Sequence, residues 1–433
     1  MNKKLEAELK QELDALGQQD LLWRPKTLNA PSAAETTIDH KKVIMLCSNN
    51  YLGLANHERL KKAAIEAVEK YGAGSGSVRP IAGTMDLHIR LEELIAKFKH
   101  TEDALYYNTG FTANSGALPA LLRKGDAVIS DELNHGSIID GLRLSKAERL
   151  IYRHNDADDL EAKLKELAAR PEKPGRILVV TDGVFSMDGD IAPLDRIVEL
   201  AERFDAVSYV DDAHGDGVLG DHGRGIVNHF KLEGRVDFEM GTFSKAFGTM
   251  GGLIATSKTN KEFLLNKSRT WLLTGSHGPA TVGASIAAME LLMESDELVK
   301  KLWENTSYYK KRLKELGFDT GNSETPITPV MTYDAGKARK MSTRLCEEKV
   351  AGGKLVCMEV SATDGRVTAV TITGDFFLHP EERITALEDS LLGIQLDENE
   401  ESVANVLEHA LEGAQLIGAT PQDLARIFKR AVS

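Results

Sequence analysis

The feature that most constrains the fold of this chain is a regular alternation of short β-rich segments and helical stretches between about residues 43 and 290. The helical stretches carry apolar residues three or four positions apart. Such alternation predicts an α/β fold with a mostly parallel central sheet, covered by helices on both faces, whose ligands bind at the carboxyl ends of the strands. The predicted strands are Ala104–Tyr107, Ala127–Ser130, Ile177–Thr181, Val207–Val210 and Leu253–Ala255, after an apolar run at Val43–Cys47, and the predicted helices include 58–70, 86–99, 157–169 and 192–204.

The two ends of the chain follow other patterns. Leucines three or four residues apart predict a helix over residues 1–20, and a long helical stretch at about 278–316 leads into a predicted strand, Ile327–Tyr333. Strands at 354–361 and 366–373 and helices at 380–392, 400–411 and 421–431 are predicted beyond it. The predicted regions are an N-terminal helix and arm (1–45), a large domain (46–290), a linker helix with the start of a small domain (291–348), and a small α+β domain (349–433).

The charge balance restricts the partners of the chain. With 53 basic and 66 acidic residues the formal charge is −13, which argues against nucleic acid or an anionic membrane as the main partner. Three cysteines without a CxxC pair, and no histidine cluster at ligand spacing, predict a reducing compartment and no metal site. Because no apolar stretch approaches the ~20 residues of a membrane helix, a cytoplasmic enzyme is expected.

Two motifs at the predicted carboxyl ends of strands indicate the chemistry. Asp211 directly follows the strand Val207–Val210, and Lys245 lies in the motif GTFSKAFG (241–248). Taken alone, the aspartate would more often cap a loop and the lysine would more often be a surface residue. Together they match an enzyme that uses pyridoxal 5′-phosphate (PLP), which needs a lysine to form an imine and a carboxylate to keep the pyridine nitrogen protonated.

Two further motifs suit the same cofactor. Asn108–Asn114 follows a strand and opens a helix, so its free backbone amides could bind the phosphate. His135 lies in the motif SDELNHGS (130–137), again just after a strand. His135 could be a core residue whose ring nitrogens are hydrogen-bonded within the protein, or its ring could stack on a flat heterocycle.

Six ordered motifs between about residues 43 and 335 resemble the α-oxoamine synthase family of fold type I PLP enzymes. They are CSNNYLGLANH (47–57), GSGSVRPIAGTMDLHIRLE (74–92), SDELNHGSIIDGLRL (130–144), TDGVFSMDGDIAPL (181–194), VDDAHGDGVLGDHGRG (210–225) and GTFSKAFGTMGG (241–252). The resemblance implies a fold type I PLP-dependent transferase with an additional small α+β domain at the C-terminus.

The resemblance also implies roles for individual residues. Lys245 would carry PLP as a Schiff base, Asp211 would pair with the pyridinium, and His135 would stack on the ring. His214 and Ser186 would lie beside the phenolic oxygen of PLP, and Asn49 would help to bind the substrate carboxylate. The phosphate would be held by Gly110, Phe111 and Thr242, together with Thr274 and Gly275 of a partner subunit. The implied protein is a homodimer.

The implied reaction is the condensation of an amino acid with an acyl-CoA or acyl-carrier thioester. Loss of the Cα proton gives a carbanion that attacks the thioester, and Lys245 is positioned to move the proton. Decarboxylation follows, except in the glycine acetyltransferase branch, which retains the carboxylate. The motifs around SVRPIAGTMDLH are most similar to glycine C-acetyltransferase (2-amino-3-ketobutyrate CoA ligase); 8-amino-7-oxononanoate synthase, which would use alanine, is the alternative.

The C-terminal segment departs from the family pattern. The family's small-domain strand with a carboxylate-binding arginine is not recognisable, and residues 350–433 instead resemble the C-terminal accessory domain of lipoate–protein ligases, centred on TGDFF (373–377). In that interpretation Phe376 and Phe377 are buried under the following helix. Arg366 is a candidate replacement anchor, although a solvent-facing hairpin arginine is the commoner interpretation of such a residue.

Three interpretations of the whole chain remain open at this point. It could be a working synthase whose small domain has been replaced, a PLP-binding or regulatory protein without turnover, or an artificial junction of two sequences. The intact pair of Lys245 and Asp211 favours the working synthase.

Overall fold

The computed structural model describes residues 2–19, 21–22, 25–334, 337–338, 346–350, 354–363, 365–374, 377–380, 383–417 and 419–432. The chain divides into two compact units. One comprises residues 26–331, and the other comprises residues 1–25 together with 332–433. The domain boundaries that the sequence suggests at 45, 290 and 348 stay predictions.

The unit of residues 26–331 is built on a seven-stranded sheet, preceded by a hairpin of β1 (Glu35–Ile38) and β2 (Lys41–Ile44). The strand order is β3-β9-β8-β7-β6-β4-β5, and all neighbours are parallel except at β9, which is antiparallel to both β3 and β8. The seven strands are β3 (Asp103–Tyr107), β4 (Ala127–Asp131), β5 (Glu148–Tyr152), β6 (Ile177–Asp182), β7 (Val207–Asp211), β8 (Phe238–Thr242) and β9 (Gly252–Thr256).

Helices follow most of these strands and cover the sheet. In chain order the helices are α1 (Lys3–Gln18), α2 (Glu58–Tyr71), α3 (Asp86–Lys99), α4 (Gly110–Leu121), α5 (Gly136–Leu144), α6 (Ala157–Ala168), α7 (Leu194–Arg203), α8 (Ile226–His229), α9 (Lys258–Lys267), α10 (Arg269–Leu272), α11 (Pro279–Glu294) and α12 (Glu297–Glu315). No helix in the described ranges is both long enough and apolar enough to span a membrane.

Both faces of the sheet are buried, as a parallel sheet requires. In β6, Val179 packs with the side of the molecule covered by α6 and α7, whereas Leu178 and Val180 pack with the side covered by α4 and α5. The predicted α/β architecture is therefore confirmed. Because the strands are parallel, the carboxyl ends of β4, β6, β7 and β8 lie along one edge.

The sequence prediction placed one strand wrongly and missed two strands of the seven-stranded sheet, as well as the short strands Glu35–Ile38, Cys346–Val350, Phe377–His379 and Gln415–Ile417. In the seven-stranded sheet it omitted β5 and β8, whose sequences ERLIY and FEMGT carry charged residues that obscure the strand pattern. The predicted strand Ile327–Tyr333 is wrong, because these residues are irregular. Pro329 lacks the backbone N–H that pairing in a sheet requires. The single helical stretch at 278–316 is two helices, separated at Ser295, whose backbone is extended.

The second unit is α+β. Strands β10 (Cys346–Val350), β11 (Lys354–Thr363) and β12 (Arg366–Gly374) form an antiparallel sheet, and β13 (Phe377–His379) pairs with β14 (Gln415–Ile417). Helices Arg383–Ser390, Glu400–Ala410 and Pro421–Val432 pack with this unit's own core, which includes Leu387, Leu407 and Phe428. The predicted strands and helices of this segment are confirmed. The predicted burial of Phe376 and Phe377 lies outside the described residues and side chains.

Candidate active site

Eight of the predicted site residues line one cavity of about 240 Å³. The cavity lies at the carboxyl ends of β6, β7 and β8 and at the start of α4, where the parallel sheet predicts a ligand site. The eight residues are Gly110, Phe111, His135, Ser186, Asp211, His214, Thr242 and Lys245. The structure thus brings together residues that are up to 135 positions apart in the sequence, from Gly110 to Lys245.

Asp211 is the last residue of β7 and is buried. Asn114 donates a hydrogen bond of 2.6 Å from its Nδ2 to Asp211 Oδ2, and the backbone amide of Ala213 donates one of 3.0 Å to Asp211 Oδ1. Donors on both oxygens stabilise the ionised carboxylate and fix its orientation. The site therefore contains an oriented anion that can pair with a protonated ring nitrogen.

Lys245 follows β8 and is half-buried in the wall of the cavity. Burial lowers the pKa of its ammonium below the ordinary value, although the negative charges of Asp211 and Asp182 oppose this shift. A lowered pKa makes the neutral amine more available, and only the neutral amine can act as a nucleophile. This is the property that a Schiff-base lysine needs.

Asp182 is a cavity residue that the sequence analysis did not select. It ends β6, and the register of the sheet places it directly beside Asp211. The His135 amide donates a hydrogen bond of 3.0 Å to Asp182 Oδ2, whereas Oδ1 is buried and has no partner among the described residues. Burial, and then the charge of Asp211, raise the pKa of Asp182 well above its ordinary value. The strand-end position that identified Asp211 could have identified this residue too.

His214 contributes an uncharged ring to the cavity. Burial, together with the positive charge of Lys245, lowers the pKa of His214 to about 3, so the imidazole is neutral at physiological pH. Its Nδ1 lies 2.7 Å from the hydroxyl of Tyr51, whose own pKa is raised by burial. A neutral, oriented imidazole can hydrogen-bond a phenolic oxygen. Tyr51, within the quoted motif CSNNYLGLANH, is a second residue that the sequence analysis left unassigned.

The ring of His135 is held in place by the start of α5. His135 is the N-cap residue of that helix, and its Nδ1 accepts a hydrogen bond of 3.2 Å from the Ser137 amide. Ser137 Oγ lies 2.7 Å from the same nitrogen and accepts from Asn114 Nδ2. The His135 ring is thus held in a fixed position, as the predicted stacking role requires. Ser137 also lines the cavity, and the sequence analysis did not single it out.

The start of α4 provides an anion-binding surface. Thr109 caps the helix by accepting from the Thr112 amide at 3.0 Å, which leaves the amides of Gly110 and Phe111 in the first turn without partners in the helix. A Cβ atom at Gly110 would approach Met240 Cε to 2.9 Å and Thr242 Cβ to 3.3 Å, so the start of α4 packs closely on the side chains of β8. Thr242, which donates to the Gly251 carbonyl, adds a hydroxyl oxygen nearby.

These groups fit PLP. The cavity holds a half-buried lysine, an oriented carboxylate and a neutral imidazole, and the free amides and hydroxyl lie at its α4 edge. Asp182 lines the same cavity, and its buried Oδ1, which has no partner among the described residues, is consistent with a polar occupant.

Three predicted site residues do not line this cavity within the chain. Asn49 is exposed, Thr274 is half-buried, and Gly275 is exposed with its carbonyl accepting from Asn108 Nδ2 at 2.8 Å. The assignment of Thr274 and Gly275 was to the site of a partner subunit, so it stays a prediction, as does the role of Asn49.

The candidate anchor Arg366 lies in the second unit. Its Nη1 donates a hydrogen bond of 2.8 Å to the carbonyl of Gly393, and its role also stays a prediction. Among the described residues no cluster of histidine, cysteine and acidic side chains could hold a metal ion.

Comparison with known proteins agrees with this geometry. A sequence profile of the family described as aminotransferase class I and II matches residues 41–374. An 8-amino-7-oxononanoate synthase of Thermosipho melanesiensis is 56% identical over 339 residues, which cover 78% of this chain and 86% of that protein. The profile match extends through β11 and β12, beyond the motif resemblance, which ends at about residue 335.

Solved structures give the same picture. A serine palmitoyltransferase variant from S. paucimobilis, with a bound aldimine of PLP and myriocin, has a TM-score of 0.72 and 34% identity, and covers 77% of this chain and 86% of its own. A serine palmitoyltransferase from Sphingomonas wittichii has a TM-score of 0.69 and 25% identity and covers 99% of this chain and 97% of its own.

Proposed function

The chain belongs to the aminotransferase class I and II family and is a PLP-dependent α-oxoamine synthase-type enzyme, and we propose that it condenses alanine with an acyl thioester to form 8-amino-7-oxononanoate. The observation that supports the proposal most strongly is that Lys245, Asp211 and His214 line one cavity. The choice of product rests on the name of the relatives that are about half identical to the chain.

Each cavity residue has a part in holding the cofactor. The free amides of Gly110 and Phe111 and the hydroxyl of Thr242 would bind the phosphate. Asp211 would keep a proton on the pyridine nitrogen, since its two oxygens are already oriented by Asn114 and Ala213. The fixed ring of His135 would stack on the pyridine ring, while His214 and Ser186 would hydrogen-bond the phenolic oxygen.

PLP, once bound, supplies an electron sink that makes the Cα proton of an amino acid acidic. Lys245 is the group that would take and return that proton, because its lowered pKa brings the neutral amine closer to physiological pH. Because Asp211 is buried, water screens its charge little, which strengthens its electrostatic effect on the ring nitrogen. Asn49 would contribute to binding the substrate carboxylate.

The proposed substrates follow from the product name. Carbons 8 and 9 of 8-amino-7-oxononanoate correspond to Cα and Cβ of alanine, whose carboxylate leaves as CO₂. The rest of the product is the acyl group of a seven-carbon dicarboxylic acid. The motif-based preference for glycine C-acetyltransferase is not supported by the relatives' names, which favour the sequence-based alternative.

Three finer assignments belong to the same proposal. Thr274 and Gly275 would reach the phosphate of the neighbouring subunit in a homodimer. Residues 349–433 would act as an accessory domain similar to that of lipoate–protein ligases. Arg366, in β12, stays the candidate for the carboxylate anchor.

The proposal is tested with purified, PLP-loaded protein and two substrate pairs. Alanine with the CoA monothioester of the seven-carbon dicarboxylic acid should release thiol and CO₂ in equal amounts. Glycine with acetyl-CoA, the pair of the glycine branch, should release much less thiol. Lys245→Ala should abolish the covalent lysine–PLP linkage seen in the visible spectrum, whereas Lys267→Ala, at an exposed lysine, should leave it intact.

Other results would point elsewhere. If the glycine pair is preferred and no CO₂ is released, the enzyme belongs to the glycine branch. If folded, PLP-loaded protein neither releases thiol nor exchanges the Cα proton of either amino acid, the chain is a PLP-binding protein without turnover.

A further inference from the structure

A second group of titratable side chains lies beside the cofactor cavity and has no part in the chemistry above. His154, just beyond the end of β5, has carboxylates at both ring nitrogens. Its Nδ1 is 3.1 Å from Asp131 Oδ1, and its Nε2 is 2.7 Å from Asp190 Oδ2. His154 is thereby bonded both to the last residue of β4 and to the loop that follows β6.

The geometry defines the protonation state of His154. Asp131 also accepts hydrogen bonds from the amides of Leu133 and Asn155, and Asp190 Oδ2 accepts one from Asn155 Nδ2. An ionised carboxylate is only an acceptor, so hydrogen bonds from both ring nitrogens of His154 to Asp131 and Asp190 need the imidazolium form, in which both nitrogens donate. Asn155 Nδ2 also lies 3.4 Å from Nε2, but the shorter contact of that nitrogen is with Asp190.

The electrostatics of the surroundings agree with this assignment. Burial on its own lowers the pKa of His154, but the hydrogen bonds and charges of Asp131 and Asp190 raise it by more, so that the pKa lies above its ordinary value. The other charged neighbours are two glutamates and an arginine. Glu132 accepts from the His154 amide, Glu324 accepts from the Ile191 amide, and Arg153 pairs with Asp156 and Asp159.

The loop that His154 contacts supplies the wall of the cavity. The ring of Phe185 packs edge-on against the imidazole, with centroids 4.4 Å apart. The Phe185 amide donates to the carbonyl of Asp190 at 3.1 Å, which closes the loop. Val184 and Ser186, on either side of Phe185, line the cofactor cavity. A shift of the His154 ring would therefore displace the residues that face the cofactor.

The other contact of His154 leads to the segment after β4, which also lines the cavity. Asp131 ends β4, and the segment that follows it carries His135, the predicted stacking residue. The Asp131 carboxylate orders this segment by accepting from the Leu133 amide. His154 thus joins the segment that bears His135 to the loop that bears Ser186.

We propose that the imidazolium of His154 is a positioning residue that clamps the loop after β6 to the end of β4 and so holds Ser186 and His135 at their spacing around the cofactor. The inference rests on the proposed function, because it assigns His154 to the same PLP site. The clamp is fully present below the ordinary pKa of histidine, about 6.5. It is lost as the pH rises through the higher pKa of His154 in the folded protein.

The test compares PLP affinity in wild type and His154→Gln over pH 6 to 9, by titrating apoprotein with PLP and recording the visible spectrum. The useful quantity is the dissociation constant of PLP for the variant divided by that for wild type. The titrations of Lys245 and of PLP itself affect both constants equally and cancel in this ratio. We expect a ratio of about ten at pH 6, equivalent to about 1.4 kcal/mol, that falls toward one at high pH. His409→Gln removes an exposed histidine paired with Glu412 and should give a ratio of one throughout.

A second variant keeps the test decisive if His154→Gln does not fold. Asp190→Asn preserves the size of the side chain, and its amide can donate to Nε2 of a neutral ring. NMR of the histidine rings should then show that the pKa of His154 falls relative to wild type. A ratio that does not change with pH, or a His154 pKa that Asp190→Asn leaves unchanged, overturns the proposal. The NMR measurement needs no cofactor, so it distinguishes failure of the clamp from failure of the PLP assignment.

Discussion

At the scale of single residues, the two buried aspartates of the cavity have the same side chain in different surroundings. Asp211 has hydrogen-bond donors on both oxygens, whereas Asp182 has one donor and an unpartnered oxygen. A carboxylate stabilised by donors remains ionised, and a buried one without them favours its protonated form. Asp211 is therefore suited to pair with a cation, and Asp182 is suited to hold a proton.

Asp182→Asn should stabilise the apoprotein by an amount that grows with pH. The pKa of Asp182 is raised in the folded state, so above about pH 4, the ordinary value, the unfolded chain releases a proton that the folded chain retains. Retaining this proton lowers the free energy of unfolding of wild type by up to about 1.4 kcal/mol per pH unit, until the pH reaches the pKa of Asp182 in the folded protein. Asparagine does not titrate, and its carbonyl can still accept from the His135 amide.

Urea unfolding of apoprotein at several pH values between 4 and 8 measures this effect. Asp188→Asn, an exposed aspartate of the loop after β6, should show no such dependence. A stability difference between Asp182→Asn and wild type that is the same at every pH would show that Asp182 has an ordinary pKa.

The residue scale also shows what the sequence could reveal about the site. Lys245 and Asp211 were predicted because each lies in a local motif whose residue types suit the chemistry, and His214 was predicted from the family resemblance. Asp182 was not selected, because its importance depends on its register with Asp211 across two strands. Yet Asp131, Asp182 and Asp211 each end a strand of the sheet, so the strand-end position is a signal that sequence reasoning could have used more widely.

At the scale of secondary-structure elements, a buried ion cluster joins α3 to the strands behind the cavity. Lys99, the last residue of α3, is buried with its Nζ 2.7 Å from Asp216, 3.1 Å from Asp212 and 3.3 Å from Glu239. Burial lowers the pKa of Lys99, and the three acids raise it by more, so the amine remains charged. Asp212 directly follows Asp211, so the cluster also supports the end of β7.

Lys99→Met should destabilise the protein by about 3–5 kcal/mol near pH 7, because it leaves buried carboxyl groups without their cation. Burial raises the pKa of Glu239 to about 7 even in the presence of Lys99, and loss of the cation would raise it further. An acid whose pKa is raised in the folded state lowers the free energy of unfolding only at pH values where the same acid has lost its proton in the unfolded chain. The loss should therefore be small near pH 4 and grow as the pH rises.

Thermal or urea unfolding at pH 4 to 8 measures this loss, and Lys97→Met, at an exposed position of the same helix, is the matched control. If the two variants lose the same stability, the cluster does not hold α3 in place. This cluster also explains why sequence reasoning missed β8. Glu239 makes β8 unlike an apolar strand, and only its pairing with Lys99, 140 positions earlier, makes its burial tolerable.

At the scale of the whole molecule, the alternation of strands and helices was sufficient to predict the parallel sheet and the edge at which the site lies. The family and cofactor followed from ordered motifs. What the sequence could not decide was the substrate branch, because glycine and alanine synthases share the motifs that hold PLP. The predicted sharing of the site between two subunits likewise depends on a surface, around Thr274 and Gly275, that only an assembled dimer would complete.

Gly275 gives a way to test whether the site is shared. It is exposed, and a Cβ atom placed there meets no other atom within 4 Å, so Gly275→Leu should fold normally within its own chain. In the proposed homodimer this position faces the phosphate of the neighbouring subunit, where a leucine side chain would hinder binding. We expect the variant to keep its thermal stability as apoprotein and to lose PLP affinity by about tenfold or more, equivalent to at least about 1.4 kcal/mol.

Mixing the two defective variants, at a PLP concentration that leaves the Gly275→Leu protein largely unloaded, then distinguishes a shared site from a local defect. In a hybrid of Lys245→Ala with Gly275→Leu, one site combines the intact Lys245 of one subunit with the intact Gly275 of the other. Random exchange of equal amounts makes about half of the dimers hybrid, so about a quarter of all sites should regain the visible spectrum of lysine-bound PLP. A mixture that recovers no more than the sum of the separate variants, although sedimentation shows hybrid dimers, would mean that each subunit builds its phosphate site alone.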